Sequence, residues 1–507
     1  MYLLSIGNTM RNNKIIYLVS FFGGFLSLAQ EILWMRLISF AGMSVPQTFS
    51  YTLALFLIGI AVGASIGKNI CKKIKNINLD NIGLIFFIAT AVDLILIILV
   101  YISAPMSGFI LVAGGCVFFC AMVRGIVFPM VHHVGANHVK TGKQISNVYF
   151  SNVFGSALAP LIIGFIALDY LNTQQMYLLV CLLTLILAMI CIQKKVFKLL
   201  GVLVATLIFM SLFLPEKIFY ELSRNSYEVN SYPIEILENK HGFIQVYNSH
   251  GDQAVFGANV YDGKFNTNLF HNTNGIDRAY FLTTIQPNAK NALVIGLSTG
   301  SWVKVLSLMP SLEKITIVEI NPAYVELIKK TPIVSSLLQD KRIEIIFDDG
   351  RKWLKKNQDK KFDIVLMNTT WHWRAYGSNL LSINFLDLVK NVLNNDSVFF
   401  YNTTQSLDAF YTAKHVFPKI YKYKFFILAS NQELYFKEND MVKSLCSLED
   451  PITKEKAFSN KIQCVQAKNE IMKNKIESYD QIKFLARKPE LITDDNMITE
   501  FKYGKGL

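Results

Sequence analysis

The chain has 507 residues, 52% of them hydrophobic, 13% aromatic and only 17% charged. These proportions exclude a disordered chain, a coiled coil and a small disulfide scaffold. The formal charge of +13, from 50 Lys and Arg against 37 Asp and Glu, needs no nucleic acid partner, because cationic loops between lipid-spanning segments produce the same excess.

Nearly all the apolar excess precedes Pro215. Seven stretches there approach the ~20 residues that cross a ~30 Å hydrocarbon layer: about 15 to 40, 47 to 67, 82 to 103, 107 to 131, 145 to 168, 176 to 192 and 199 to 214. Loop charges sort into two sets. Arg11, Lys14, Lys68, Lys72, Lys73, Lys75, Lys140, Lys143, Lys194, Lys195 and Lys198 fall on one side, whereas loops 41 to 46, 104 to 106 and 169 to 175 hold no Lys or Arg. By the positive-inside rule the N-terminus is cytoplasmic, and after an odd number of crossings the rest of the chain emerges outside. No secretory leader is expected, since the first apolar run continues into Trp34 and Arg36.

Ionisable groups within spans are costly and call for an interior partner or a wet cavity. Glu31, Asp93 and Arg124 are the candidates, while Arg36 sits near enough to a helix end to snorkel. Arg124 is expected to pair with Asp93 on the preceding span across a depth offset of roughly 10 Å, with Glu31 or backbone carbonyls as the alternative. These three groups serve either a structural ion pair or a substrate path. Gly155, Ala159 and Gly164 are expected to permit close helix approach. Cys116, Cys120, Cys181 and Cys191 lie inside apolar runs and form neither a disulfide framework nor a metal pattern, so no metal is expected.

After Pro215 the pattern changes to short strands, 234 to 238, 243 to 247 and 254 to 263, separated by polar turns: a small antiparallel sheet. From Asn291 strands alternate with helices near 301 to 309, 322 to 330, 351 to 357 and 383 to 393, which implies a doubly wound, mostly parallel α/β sheet with ligands at the strands' carboxyl ends. Three features sit at such ends. Gly296-Leu-Ser298-Thr-Gly300-Ser301 turns from the first strand into a helix and lets the backbone approach a ligand. Glu319 ends the second strand, where a carboxylate accepts both hydroxyls of a ribose. Asp348-Asp349-Gly350 ends the third, suited to an adenine amino group. The alternative is that Glu319 caps the next helix and Asp348 is a turn residue. Residues 441 to 480 read as a solvated helical surface.

The order VIGLSTGS, VEINP, IEIIFDDGRKWL, FDIVLMN resembles the spermidine synthase (polyamine aminopropyltransferase) family, and GFLSLAQEILWMRLISF resembles its membrane-fused members. The resemblance implies a helical membrane bundle (1–215), a β-rich lid (216–288), a Rossmann-like domain (289–440) and a helical, acidic tail (441–507). It implies S-adenosylmethionine or its decarboxylated form as the nucleoside, and the bilayer as a partner; the chain could also form a homo-oligomer. Asp262-Gly263 matches the family's lid element. Three positions depart from it: Asn368 stands where the catalytic Asp is expected, Asn266 stands for Gln, and Gly275-Ile-Asp277-Arg278 replaces a Tyr-His-Glu cluster. An amide neither takes a proton near neutrality nor pairs with an ammonium. In place of the amine-binding acids stands the segment Trp371-His372-Trp373-Arg374-Ala-Tyr376, with His372 as a general base and Arg374 as an anion clamp, or else these rings simply pack the lid. Asp494-Asp495 is expected to fold back near Asn368 and supply the missing carboxylate. In an oxidising compartment Cys446 and Cys464 could pair across 18 residues.

These readings leave three functions open: a membrane-anchored transferase moving an aminopropyl or methyl group to an unidentified acceptor, a non-catalytic nucleoside sensor or scaffold, and a transporter.

Overall fold

The computed structural model describes residues 2–74, 76–136, 142–224, 231–368, 371–483 and 487–507, with side chains from residue 14 onward. Lys75, Lys140, Thr369, Thr370 and the side chain of Arg11 lie outside the described residues. The chain forms two compact units, residues 1–232 with 238–243, and residues 233–237 with 244–507.

The first unit is helical: α1 (Tyr2–Ala41), α2 (Gln47–Lys73), α3 (Leu79–Ser103), α4 (Phe109–Ala136), α5 (Gly142–Ala159), α6 (Thr173–Cys191), α7 (Lys195–Ser211) and α8 (Ile218–Ser223). A π-turn over Pro160–Gly164 and a 3-10 turn over Ala167–Asp169 extend α5. Among the described residues, six helices are long and apolar enough to cross a membrane, not seven. The expected span at 199 to 214 is the 17-residue α7, about 25 Å at ~1.5 Å per residue and short of the ~30 Å layer. The unit also continues past Pro215, because Ile218 and Phe219 of α8 are buried, with the Phe219 ring 4.9 Å from Phe40.

Helix α2 carries Gly59, Gly63 and Gly67 on one face, four residues apart. A Cβ at Gly63 would stand 1.9 Å from the carbonyl oxygen of Met122, so α2 and α4 touch backbone to backbone. Gly155 does the same against Phe21 of α1, whereas a Cβ at Gly164 would meet nothing within 4 Å, so that residue is not a packing site. The Arg124 guanidinium pairs with both oxygens of Asp93, Nη1 to Oδ1 at 2.9 Å and Nη2 to Oδ2 at 2.5 Å. The depth offset between α3 and α4 is therefore closed. Arg36 does not snorkel; it bonds Glu238 at 2.9 Å and lies over the Phe243 ring.

An antiparallel sheet follows in the chain, β1 (Glu235–Asn239), β2 (Gly242–Ser249), β3 (Asp252–Gly257) and β4 (Val260–Lys264). The expected strand 254 to 263 divides in two at Ala258-Asn259, where both φ angles are positive, the backbone of a tight two-residue hairpin turn. Next come α9 (Asp277–Ile285), β5 (Asn291–Ile295), α10 (Ser301–Ser307), β6 (Lys314–Glu319), α11 (Ala323–Lys330), α12 (Pro332–Ser335), β7 (Ile343–Phe347), α13 (Gly350–Lys356), β8 (Phe362–Met367), α14 (Ile383–Asn391), β9 (Leu393–Asn402), α15 (Leu407–Val416), β10 (Lys419–Tyr423), β11 (Phe426–Ser430), α16 (Glu438–Ser447), α17 (Lys461–Met472), β12 (Ile476–Ser478) and α18 (Ile498–Phe501).

The large sheet runs β12-β10-β11-β9-β8-β5-β6-β7, parallel from β9 to β7 and antiparallel at the β10 to β12 edge. Alternate side chains of each buried strand enter opposite cores. Ala292 and Val294 of β5 join one cluster with Val303, Ile315 and Phe400, and Leu293 and Ile295 join the other with Val318, Val365 and Phe399. Helices α16 and α17 are not simply a solvated surface, because Met441, Leu445, Cys464 and Ile471 belong to the first core. A disulfide joins Cys446 to Cys464, with 5.5 Å between the Cα atoms.

Candidate functional site

Strand β5 lies between β6, which follows it in the chain, and β8, which comes later. Chain direction across the sheet therefore reverses at β5, and the helices leaving β5 and β8 diverge to opposite faces. In sheets of this kind the crevice at that reversal, beyond the strands' carboxyl ends, is the ligand site. Gly296 and Asn368 are the first residues past β5 and β8, and a Cβ at Gly296 would sit 3.7 Å from the Asn368 carbonyl oxygen. Gly296 and Gly300 both have positive φ, +86° and +74°, which glycine alone adopts at no steric cost.

Glu319 forms the floor of this turn. It is 3% exposed, one carboxylate oxygen accepting from Leu297 N at 2.6 Å and the other from Asn321 N at 2.8 Å. Burial pushes its pKa up to about 7 against the pull of those backbone donors. Ser298 N is a third backbone donor that favours the charged form, so of the two acceptor positions on each oxygen one in all remains for a further donor.

Asp262, Asn274, Gly296, Ser298, Trp302 and Asn368 line one crevice, so the lid element and two strand ends meet there. The Asp262 carboxylate accepts from Tyr324 OH at 2.5 Å. Burial raises the Asp262 pKa although Tyr324, Ser298 and the Arg374 charge favour the ionised form. Arg374 lies close to Gly257 of the lid, where a Cβ would be 3.9 Å from its Nη1. Burial lowers its own pKa.

On the other side of Asn368 runs a polar chain. Asn368 Oδ1 accepts from Asn402 Nδ2 at 3.1 Å, Asn402 Oδ1 accepts from Thr404 N at 2.8 Å, and Thr404 Oγ1 accepts from His372 N at 3.0 Å and meets His372 Nδ1 at 2.7 Å. Burial lowers the His372 pKa, which favours a neutral ring. Trp371 and Trp373 stack with centroids 6.1 Å apart, while Tyr376 is 74% exposed.

Several expected site residues are engaged elsewhere. Asn266 donates to Asp252 at 3.1 Å and caps Asn268 N, serving the lid's own turn. Asp277 takes a 2.7 Å ion pair from Lys424 and bonds from Asn272 and Tyr423; burial opposes its ionisation, but these donors hold its pKa below the usual range. Asp348 is paired with Lys352 at 2.9 Å, which lowers its pKa, and Asp349 caps α13 through Lys352 N. Their turn does lie over β5, since a Cβ at Gly350 would be 2.6 Å from Ile295.

The tail folds back, though with a different acid from the one expected. Asp494 is bound to Arg351 and Ser382, its pKa lowered by Arg351, and Asp495 is exposed. Glu500 instead reaches the loop after Asn368, accepting from Tyr376 N at 3.0 Å and Ser378 N at 2.9 Å. Sequence reasoning missed Tyr324, Asn402, Thr404 and Glu500. Asn402 was within reach, because it ends β9 beside Asn368, the first residue past β8.

Residues 280–427 match the family described as "Spermine/spermidine synthase domain". This part of the chain is similar to spermidine synthases. It is 32% identical over 141 residues to a polyamine aminopropyltransferase of Clostridioides difficile (strain 630), covering 26% of this chain and 50% of that one. It is 35% identical over 85 residues to a polyamine aminopropyltransferase of Clostridium botulinum (strain Eklund 17B / Type B), covering 17% and 30%. The chain thus spans half or less of the length of these curated relatives. A spermidine synthase crystallised in complex with the transition state analogue AdoDATO is similar at 18% identity and a TM-score of 0.36, over 48% of this chain and 90% of that one.

Proposed function

We propose that this chain is a membrane-anchored, spermidine synthase-like protein that holds S-adenosylmethionine or its decarboxylated form in the β5/β8 crevice and transfers an alkyl group, aminopropyl or methyl, to an acceptor. The observation that carries this reading is Glu319, a buried carboxylate fixed beneath the Gly296 to Gly300 turn with an acceptor position left for a ribose hydroxyl. In such a transfer the sulfonium C–S bond breaks, the acceptor's lone pair forms the new bond to that carbon, sulfur leaves as a neutral thioether, and the acceptor loses a proton. Sulfonium needs little help to leave, so the residues must orient the acceptor and remove its proton. With Nδ1 engaged by Thr404, Nε2 is the His372 nitrogen left for that proton. Asn368 can neither take that proton nor pair with an ammonium. This argues for a neutral or acidic acceptor.

A second reading, a nucleoside sensor without turnover, draws on two observations. An amide stands at the end of β8, and the Cys446–Cys464 disulfide suits an oxidising compartment, whereas the nucleoside is cytosolic. That placement requires α7 to act as a seventh crossing; with six crossings the α/β unit shares the N-terminal, cytoplasmic side. The test is to incubate the full-length protein with sulfonium nucleoside labelled on the transferable carbon and follow thioether release. Release that requires His372 supports a transferase, and binding without release supports the sensor.

A further inference from the structure

The helical unit holds a cavity of about 490 Å³ that shares no lining residue with the β5/β8 crevice. Its walls come mainly from α1, α2, α4 and α5 and are mostly apolar. Glu31 of α1 faces it, 9% exposed, and makes no hydrogen bond or ion pair with any described residue. The nearby charges are already engaged: Arg124, also on the wall, gives both Nη atoms to Asp93. The polar wall groups Ser20, Asn152 and Thr184 donate to backbone carbonyls. An unpaired carboxylate in such surroundings is costly, and a cation entering the cavity relieves that cost.

The mouth indicates what kind of cation fits. Leu57 on the rim is 57% exposed and lies near the middle of α2, so the cavity opens on the side of the unit at the level of its apolar surface. A hydrated metal ion is a poor match, because among the described residues no group of three His, Cys, Asp or Glu side chains could hold one. An amine on an apolar body fits both the single carboxylate and the apolar wall. We propose that this cavity binds a primary alkylammonium, its charged nitrogen on Glu31 and its apolar body along the walls between α1 and α2.

The test uses the full-length protein in phosphatidylcholine nanodiscs and the apolar carbodiimide dicyclohexylcarbodiimide, which modifies carboxyl groups in apolar surroundings. Peptide mapping should place the adduct on Glu31 and not on Asp93, and Glu31→Gln should remove it. Octylammonium at ten times its dissociation constant should slow the modification about tenfold by occupancy, while octanol and ammonium chloride should not. Protection by phosphatidylethanolamine in the nanodisc, without added amine, would identify the bilayer as the source of the amine. If Glu31 is not modified, if octanol protects as well as octylammonium, or if neither amine source protects, the proposal is overturned. Mapping on the parent protein decides the matter even if the variant fails to fold.

Discussion

Replacing Glu319 by Gln tests the nucleoside site where geometry and charge coincide. The carboxylate already accepts from Leu297 N and Asn321 N, with Ser298 N as a third backbone donor, and a ribose hydroxyl would add a further one. The amide removes the charge and turns one oxygen into a donor that faces a backbone N–H. At roughly 1.5 to 3 kcal/mol for a charge-assisted bond, losing the ribose bond weakens binding about tenfold to a hundredfold. A pH dependence arises from the raised pKa of about 7. The ligand favours the ionised carboxylate, so protonation competes with binding and affinity falls about tenfold per pH unit below 7 and levels off above it. Equilibrium dialysis of full-length protein with neutral 5′-methylthioadenosine, from about pH 5.5 to 8.5, isolates Glu319 from the ligand's own titration. The Gln variant should bind weakly and show no pH dependence, with its fold verified by its thermal transition. Parent binding that is flat across this range, or a Gln variant that binds like the parent, would refute the reasoning.

Arg124→Gln and Asp93→Asn should each destabilise the helical unit by about 3 to 5 kcal/mol, since each leaves a buried charge unpaired, and the double variant should recover part of the loss; thermal unfolding in detergent measures all three, and two silent single variants would contradict the pairing. Glu500→Ala should cost about 1 to 3 kcal/mol by stripping acceptors from Tyr376 N and Ser378 N, seen as faster protease cleavage between 371 and 378; unchanged cleavage would show that Glu500 does not hold this loop. Reduction of Cys446–Cys464 should destabilise the α/β unit by about 3 kcal/mol for a loop of this length, read from denaturant midpoints with and without reductant; identical midpoints would mean that the bond adds nothing. In a Cys71→Ser, Cys464→Ser variant, a membrane-impermeant thiol reagent should reach Cys446 in intact cells if α7 crosses the bilayer; labelling only after lysis places the α/β unit in the cytoplasm.

Periodicity carried most of the fold. The run ALVIGL became β5 and ITIVEI became β6 because buried parallel strands are continuous apolar runs, and each Gly or acid at their carboxyl ends fell where the topology uses it. Strand order was not legible, so the reversal at β5 and the meeting of Gly296 with Asn368 emerged only from the three-dimensional pairing. Local spacing left side-chain partners open. Asp277 and Asn266 occupy positions suited to a substrate, yet their neighbours Lys424 and Asp252 claim them. Glu500 stands in the same acidic tail as Asp494-Asp495, and nothing local distinguished which of these acids meets the loop after Asn368. The apolar stretch 199 to 214 runs past the end of its helix, because α7 begins at Lys195 and stops at Ser211.

The most direct measurement of the central claim is a calorimetric titration of the full-length protein, in detergent or nanodiscs, with S-adenosylmethionine and its decarboxylated form in parallel. Saturable one-to-one binding of at least one of them, displaced by 5′-methylthioadenosine and lost in Glu319→Gln, is the predicted result. No saturable heat with either nucleoside, from protein whose thermal transition shows it to be folded, would contradict it.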